Sequence, residues 1–458
     1  MRIILADLKA KDGLVSKDTV AGGYGSRLVP FSRITRLFTF FKRRVVEVPS
    51  VQMAYLAAIC AEKGHEVRWT QDEVLDGDIA LVLSSLVDYR RETAWADAAR
   101  TRGVRVGFVG LACSKMPELF RDHADFLILG EPESAVMKLA SGQELSGLIP
   151  SEPIADLDTL PFPRWDLLEN RRFPPRVLRR KFPLLASRGC PEFCTYCPHR
   201  ILAGYRARSV ANVVEELVEL CGRYRRPYVI FRDPLFTQQR DRCLALCEEI
   251  QARRLDLTFE CETRLDRLDE KLLDQMRAAG LRAITFGVES ISSQTLKKVA
   301  RRPIPEAHQQ AMVEHCRRLG IMTCGFYIFG FLEDDWDSIG ATIDYAIAFG
   351  ATFAQFKILT PYPATPLWRQ LQPRVRETDW ERFDGFTLTF QHPNLSGEEL
   401  RFLLGAAYAR FYARPSWLAN YLGIRRERVQ DLVREMDRRT HQRHKQKEVF
   451  LMSRAVVC

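Results

Sequence analysis

A chain of 458 residues is too long for one small domain, and at roughly 100 to 200 residues per domain it points to two or three. Its 46% hydrophobic and 28% charged residues exclude a disordered or fibrous class. The net charge of +10 permits weak attraction to nucleic acid or anionic lipid, yet the basic residues are spread out and no RNA-binding motif accompanies them, so nucleic acid is not the expected partner.

No apolar run reaches the length of a bilayer span, and Arg2-Ile-Ile-Leu-Ala6 passes straight into Asp7 without a secretory pattern, so a cytoplasmic protein is expected. Of twelve cysteines, Cys60, Cys113, Cys221, Cys316 and Cys324 stand singly in apolar segments, which suits a reducing compartment rather than a disulfide framework.

Residues 1–150 alternate short apolar runs with helical patterns. Ile3 to Ala6 is followed by a helix near Gln52 to Lys63, then Val67 to Trp69, Ile79 to Leu83, a helix near Arg90 to Arg102, Val104 to Val109 and Phe126 to Leu129. That order spells a doubly wound, Rossmann-like parallel α/β sheet. Such sheets bind ligands beyond the carboxyl ends of their strands, here the loops after Ala6, Leu83 and Val109. Lys11 to Pro49 is an insertion between the first strand and its helix. Its Gly22-Gly-Tyr-Gly25 reads as a turn, and Arg33 to Arg44 as a helix or lid packed on the protein, with a membrane-surface contact as the other reading.

Residues 151–178, with Asp156-Leu-Asp-Thr-Leu-Pro-Phe-Pro-Arg-Trp-Asp166, read as a proline-bearing linker. A strand at Phe182 to Ala186 then leads into Ser187-Arg-Gly-Cys-Pro-Glu-Phe-Cys-Thr-Tyr-Cys-Pro-His199, which gathers Cys190, Cys194 and Cys197 in one loop. A structural zinc site or an ordinary iron–sulfur cluster takes four protein ligands, so three thiols leave a position open. The alternatives are a zinc knot completed by His199 and a redox thiol set.

Five more apolar stretches follow, Tyr228 to Phe231, Leu257 to Glu260, Ala283 to Phe286, Ile321 to Cys324 and Ala354 to Leu359, each ending in polar or glycine residues. Six strands over residues 179–372 make a partial parallel barrel, open on one side for lateral entry of a large substrate, with its functional groups at the carboxyl-terminal rim. Residues 373–458 turn mainly helical and end in a basic helix, Arg425 to Arg443.

The cysteine spacing, Tyr196 before the last thiol and the order of strands resemble the radical S-adenosylmethionine (SAM) superfamily. The resemblance implies a [4Fe–4S] cluster on Cys190, Cys194 and Cys197, with SAM on the open iron. It places Glu289 and Ser290 of Gly287-Val-Glu-Ser290 on SAM's ribose or amino-acid part, Gly325 to Gly330 around adenine, and Tyr362 in the segment after the sixth strand. Glu262 and Arg264 suit SAM's amino and carboxylate groups, and Asp233 stands where the family's usual Gly-Gly-Glu is missing.

Three segments of the first domain resemble the cobalamin-binding domain joined to class B radical SAM enzymes: Ser84-Ser-Leu86, Gly110-Leu111 and Gly130-Glu-Pro-Glu133. Cobalamin contacts are thereby implied at Asp7, Ser84, Leu86, Gly110, Gly130 and Glu131. The sequence departs from that pattern at Asp7-Leu-Lys-Ala-Lys-Asp12-Gly13, where the usual Asp-x-His-x-x-Gly would carry a histidine. The expected activity is cobalamin-dependent methylation of an unactivated carbon in a lipid or other small molecule, driven by an external electron donor of flavodoxin or ferredoxin type. Radical rearrangement, cyclisation or oxidation without methyl transfer is the second reading, and an iron–sulfur electron carrier or RNA-binding module the third.

Overall fold

The apolar run Ile3 to Ala6 is wholly buried because neighbours pair with it on both sides. In the computed structural model, which describes residues 1–9, 14–17, 23–28, 48–168 and 181–418, β1 (Arg2–Ala6) lies second in a six-stranded sheet. The other elements of this half are β2 (Leu14–Ser16), β3 (Ser26–Leu28), β4 (Glu66–Thr70), β5 (Ile79–Leu83), β6 (Arg105–Val109), β7 (Phe126–Gly130) and β8 (Gly147–Ser151). The sheet order is β4-β1-β5-β6-β7-β8, all parallel. Helices Val51–Glu62 and Glu133–Ala140 cover one face and helix Tyr89–Thr101 the other, so the strand order reverses between β1 and β5.

β2 and β3 form a small antiparallel hairpin from the inserted segment, seated on the loop after β5. The Leu86 amide donates to the Tyr24 carbonyl at 3.0 Å. The buried Lys17 ammonium lies 2.6 Å from Glu92 Oε1, and Ser85 donates to both Glu92 oxygens. Gly25 needs its bare Cα here, since φ is +87° and a Cβ would come within 2.8 Å of Val87.

The second sheet is built from β9 (Lys181–Leu184), β12 (Tyr228–Phe231), β13 (Thr258–Thr263), β14 (Leu281–Glu289), β15 (Met322–Phe329) and β16 (Phe353–Ile358), parallel and in chain order. A two-stranded ribbon, β10 (Ser187–Arg188) with β11 (Arg206–Ala207), brackets the cysteine loop. Along β14 and β15, Ile284, Phe286, Val288, Tyr327 and Phe329 face the helices, leaving Thr285, Gly287, Glu289 and Cys324 on the lumen side.

β16 is an edge strand, and unpaired backbone groups at such an edge need partners. Helix Gly397–Tyr412, opened by a Ser396/Glu399 capping box, supplies them. Tyr412 Oη exchanges hydrogen bonds with Ala354 N and O at 3.1 and 2.7 Å, Tyr408 Oη does the same with Phe356 at 3.2 and 3.0 Å, and Ile358 N donates to Gly385 O at 2.9 Å. The β16 edge is therefore covered by this helix.

The sequence reading places most strands within a residue or two. It misses the sixth strand β8 and the β2–β3 hairpin. The apolar stretches also stop short of the ends of β14 and β15, which run on through Gly287-Val-Glu289 and Gly325 to Phe329. The Arg33 to Arg44 and Arg425 to Arg443 segments lie outside the described residues. Among the described residues no helix is long and apolar enough to cross a membrane.

Candidate active site

The cysteine loop leaves the carboxyl end of β9 and is pinned across the barrel rim. Thr195 N donates to Val299 O and Leu367 N to Thr195 O, both at 3.0 Å, which ties the loop to the chain after β14 and after β16. Cys197 N donates to Cys194 O at 3.3 Å, turning the loop back on itself. Gly189, at φ +72°, lets it pass Ala203 O, which a Cβ would approach to 2.5 Å.

Cys194 is buried, and Cys190 and Cys197 are partly so. Burial pushes the Cys197 thiol up to about 12 and raises Cys190 as well, with the neighbouring cysteines adding to both. Such thiols stay protonated unless a metal takes the proton's place. No three Cys, His, Asp or Glu side chains among the described residues are grouped as ligands of a single ion. Ligands of an iron–sulfur cube need not converge in that way, because each takes a separate iron. Three mutually interacting thiols on one partly buried loop fit that donor set.

Beside the thiols lies a cluster that the sequence reading only half identifies. Arg301, 8% exposed, places Nη1 at 3.8 Å from Cys194 Sγ and 3.4 Å from Tyr196 Oη, donates through Nη2 to Gly287 O, and stands 3.6 Å from Glu289 Oε1. Glu289 adopts φ +66°, a left-handed conformation costly for a residue with a side chain and concentrated at functional sites. Burial raises its carboxyl, while Arg301 and Tyr196 oppose the shift. Its carboxylate folds back over Gly287, where a Cβ would meet Oε1 at 1.9 Å.

The remaining predicted SAM residues divide. Arg264 is nearly buried; Nε and Nη2 hold Asp266 and Nη2 also reaches Arg302 O, but Nη1 has no hydrogen-bond partner. Its charge lies close enough to Cys190 and Glu289 to oppose, in part, the upward push that burial gives both groups. Ser290 Oγ accepts from Ser292 N at 3.1 Å, and Glu262, expected on SAM's amino group, pairs with Arg232 at 2.7 Å. Gly330, at φ +87°, turns the chain after β15 and donates to Asp334. Tyr362 is buried against Tyr24.

Two positions require correction. Asp233 is fully buried and accepts from Ala186 N at 3.0 Å and Ser187 Oγ at 2.5 Å, so it braces the start of the cysteine loop instead of facing a ligand. Gly325 pairs with Phe286 and Ala354, and a Cβ there would point to the helix-facing side, 3.2 Å from the Tyr327 ring and away from the lumen.

At the carboxyl end of the first sheet, several proposed corrinoid contacts are already engaged. Ser84 Oγ donates to Val109 O at 2.8 Å and accepts from Cys113 N at 3.0 Å. Leu86 is buried under the hairpin. Glu131 is held by Arg188 at 2.8 Å and by Arg206, and Arg188 also holds Glu133 at 2.7 Å, so this acidic pair anchors the cysteine loop to the first sheet. Gly110, at φ +108°, starts a short helix, and Gly130, at φ +102°, is exposed. Asp7 differs: it is fully buried beside the β1–β5 crevice, Lys9 stands 3.4 Å away, and neither carboxylate oxygen has a hydrogen-bond partner. A buried carboxylate at this crevice, ion-paired with Lys9 but without a hydrogen-bond donor among the described residues, fits a ligand that donates to it.

The profile of the Radical SAM superfamily matches residues 184–346, spanning the cysteine loop and β12 to β15. The chain carries a radical SAM domain. The protein is an enzyme, and members of the superfamily that this domain matches work with a [4Fe–4S] cluster and SAM. An uncharacterized methyltransferase of Pyrococcus horikoshii is 28% identical over 316 residues, covering 64% of this chain and 68% of the relative. The bacteriochlorophyllide d C-12(1)-methyltransferase of Chlorobaculum tepidum is 23% identical over 332 residues, covering 70% and 72%. Among solved structures, the radical SAM methyltransferase TsrM of Kitasatospora setae, with tryptophan substrate and a SAM analog, shares the fold at TM-score 0.65 and 16% identity over 91% of this chain and 90% of that one. TsrM has also been solved with cobalamin and a [4Fe–4S] cluster bound.

Arg301 is the residue of this cluster that sequence reasoning missed. An Arg-Arg pair directly after a helix reads as solvated charge, and no linear signal brings it to a cysteine 107 residues away.

Proposed function

We propose that the chain is a cobalamin-dependent radical SAM methyltransferase acting on an unactivated carbon of a small molecule or lipid. The observation that carries this is the cysteine loop itself. It is pinned across the rim of the parallel barrel and salt-bridged through Arg188 to the carboxyl end of a second, doubly wound sheet.

Cys190, Cys194 and Cys197 would hold the cluster, and the Arg264 Nη1 donor, unpaired and near Cys190, is placed for SAM's carboxylate. Glu289 offers an acceptor for the amino or ribose groups. Asp7 offers two acceptor oxygens to a corrinoid at the β1–β5 crevice. The chemistry these groups supply when bound is one-electron cleavage of SAM to a 5′-deoxyadenosyl radical and delivery of methyl from the corrinoid. The protein's part is to position them and exclude water, which the Tyr24–Tyr362 and Tyr196–Phe331 ring pairs serve.

The deciding experiment is anaerobic reconstitution with iron, sulfide and methylcobalamin, then SAM and a low-potential reductant, comparing the natural chain with Cys194→Ala. 5′-Deoxyadenosine formed only by the natural chain, together with a corrinoid absorption band that survives gel filtration, supports the proposal. SAM cleavage without corrinoid retention overturns the methyl-transfer reading and leaves rearrangement or cyclisation.

A further inference from the structure

We infer that Arg301 sets the reduction potential of the cluster, acting through the Cys194 sulfur, and is thus a positioning and tuning residue for electron entry. The inference rests on the cluster assignment above. Three features of the geometry carry it. The guanidinium is almost fully removed from water, so its charge is poorly screened by solvent or salt. Nη1 lies 3.8 Å from Cys194 Sγ, within N–H···S range. Its orientation is fixed on two further sides, by Gly287 O from Nη2 and by Tyr196 Oη from Nη1, so the charge cannot swing away.

Adding one electron to a thiolate-bound cluster makes the site more negative. A fixed cation and an N–H donor at a ligating sulfur stabilise that form and raise the potential. Glu289, 3.6 Å from the same guanidinium, partly offsets it. A group that neutralises or displaces the Glu289 carboxylate would strengthen the effect of Arg301 on the sulfur.

The test is an anaerobic redox titration of the reconstituted cluster, followed by electron paramagnetic resonance of the reduced form, in the natural chain, Arg301→Gln and Arg301→Lys. The glutamine variant is expected to shift the one-electron reduction equilibrium at least tenfold toward the oxidised form, about 59 mV lower. The lysine variant, which keeps a charge but loses the planar fork, should fall between. If Arg301→Gln assembles no cluster, Arg301→Lys against the natural chain decides by the same criterion in sign. Equal potentials in all chains, or the same shift in both variants, overturn the inference while leaving the cluster assignment intact. Failure of the natural chain to assemble a cluster overturns the assignment itself.

Discussion

Tyr24, in the hairpin inserted after the first strand, stacks on Tyr362, past the last strand of the second sheet, with ring centroids 5.5 Å apart and planes 10° from parallel. The Tyr24 hydroxyl donates to Pro363 O at 2.7 Å, and its neighbours extend the joint: Ser26 Oγ donates to Asp384 O at 3.1 Å and Arg27 pairs with Glu381 at 3.3 Å. The insertion is thus a strut between the two sheets. With Arg188 on Glu131 and Glu133, it fixes how the carboxyl ends of the first sheet meet the barrel rim.

Tyr24→Phe removes only the hydroxyl and leaves a buried carbonyl without its donor, which costs about 1 to 3 kcal/mol. Tyr24→Ala adds loss of the stacked ring, for a total of about 3 to 5 kcal/mol. Chemical denaturation should show that order. If Tyr24→Ala unfolds at the same denaturant concentration as the natural chain, the strut carries no stability.

The edge of the barrel makes a second test. Tyr408→Phe leaves Phe356 N and O facing the apolar side of helix Gly397–Tyr412 without their partner. The expected loss is about 1 to 3 kcal/mol for the pair of unsatisfied groups. Amide hydrogen exchange at Phe356 should accelerate more than at β13, in the middle of the sheet. Uniform acceleration across both strands would mean that the hydroxyl contributes only to global stability.

Gly287→Ala probes the proposed SAM contact at Glu289 separately from the thiols. A Cβ at 1.9 Å from Glu289 Oε1 and 2.9 Å from Arg301 Nη2 forces the carboxylate out of its place. Iron and sulfide content should be unchanged, while SAM binding measured by equilibrium dialysis weakens roughly tenfold, about 1.4 kcal/mol. Unchanged SAM affinity would remove Glu289 from the set of SAM contacts.

Much of this architecture is readable from sequence because parallel strands buried on both faces are continuous apolar runs, and those runs are punctuated where the chain turns. The hairpin escaped notice since Leu14–Ser16 and Ser26–Leu28 are three residues each and only one residue of β3 is buried. Among the candidate site residues, the cysteine loop is local and so legible. The roles of the acids are not local. Asp233 looks the same in sequence whether it meets a ligand or the backbone 47 residues earlier, and Glu131 gives no sign that Arg188, 57 residues on, neutralises it. Gly325 was placed by resemblance alone, and in the period-two alternation of β15 it falls on the face opposite Cys324.

Asp334 gives a pH dependence with a definite sign. Its Oδ2 accepts from Gly330 N at 2.9 Å and Phe331 N at 3.0 Å, closing the loop after β15, yet burial outweighs those bonds and lifts the carboxyl from 3.8 to about 6. The folded chain therefore holds this proton more tightly than the unfolded chain does. The stabilisation from that proton is complete below 3.8, is lost as pH rises through 6, and changes no further above it. With one pKa unit worth about 1.4 kcal/mol, the loss is on the order of 3 kcal/mol. Asp334→Asn keeps an oxygen for both amides and cannot ionise. Its unfolding free energy, measured by denaturant titration across this window, should lack that decline, so the variant gains on the natural chain as pH rises. Parallel curves for the two chains would place the titrating group elsewhere.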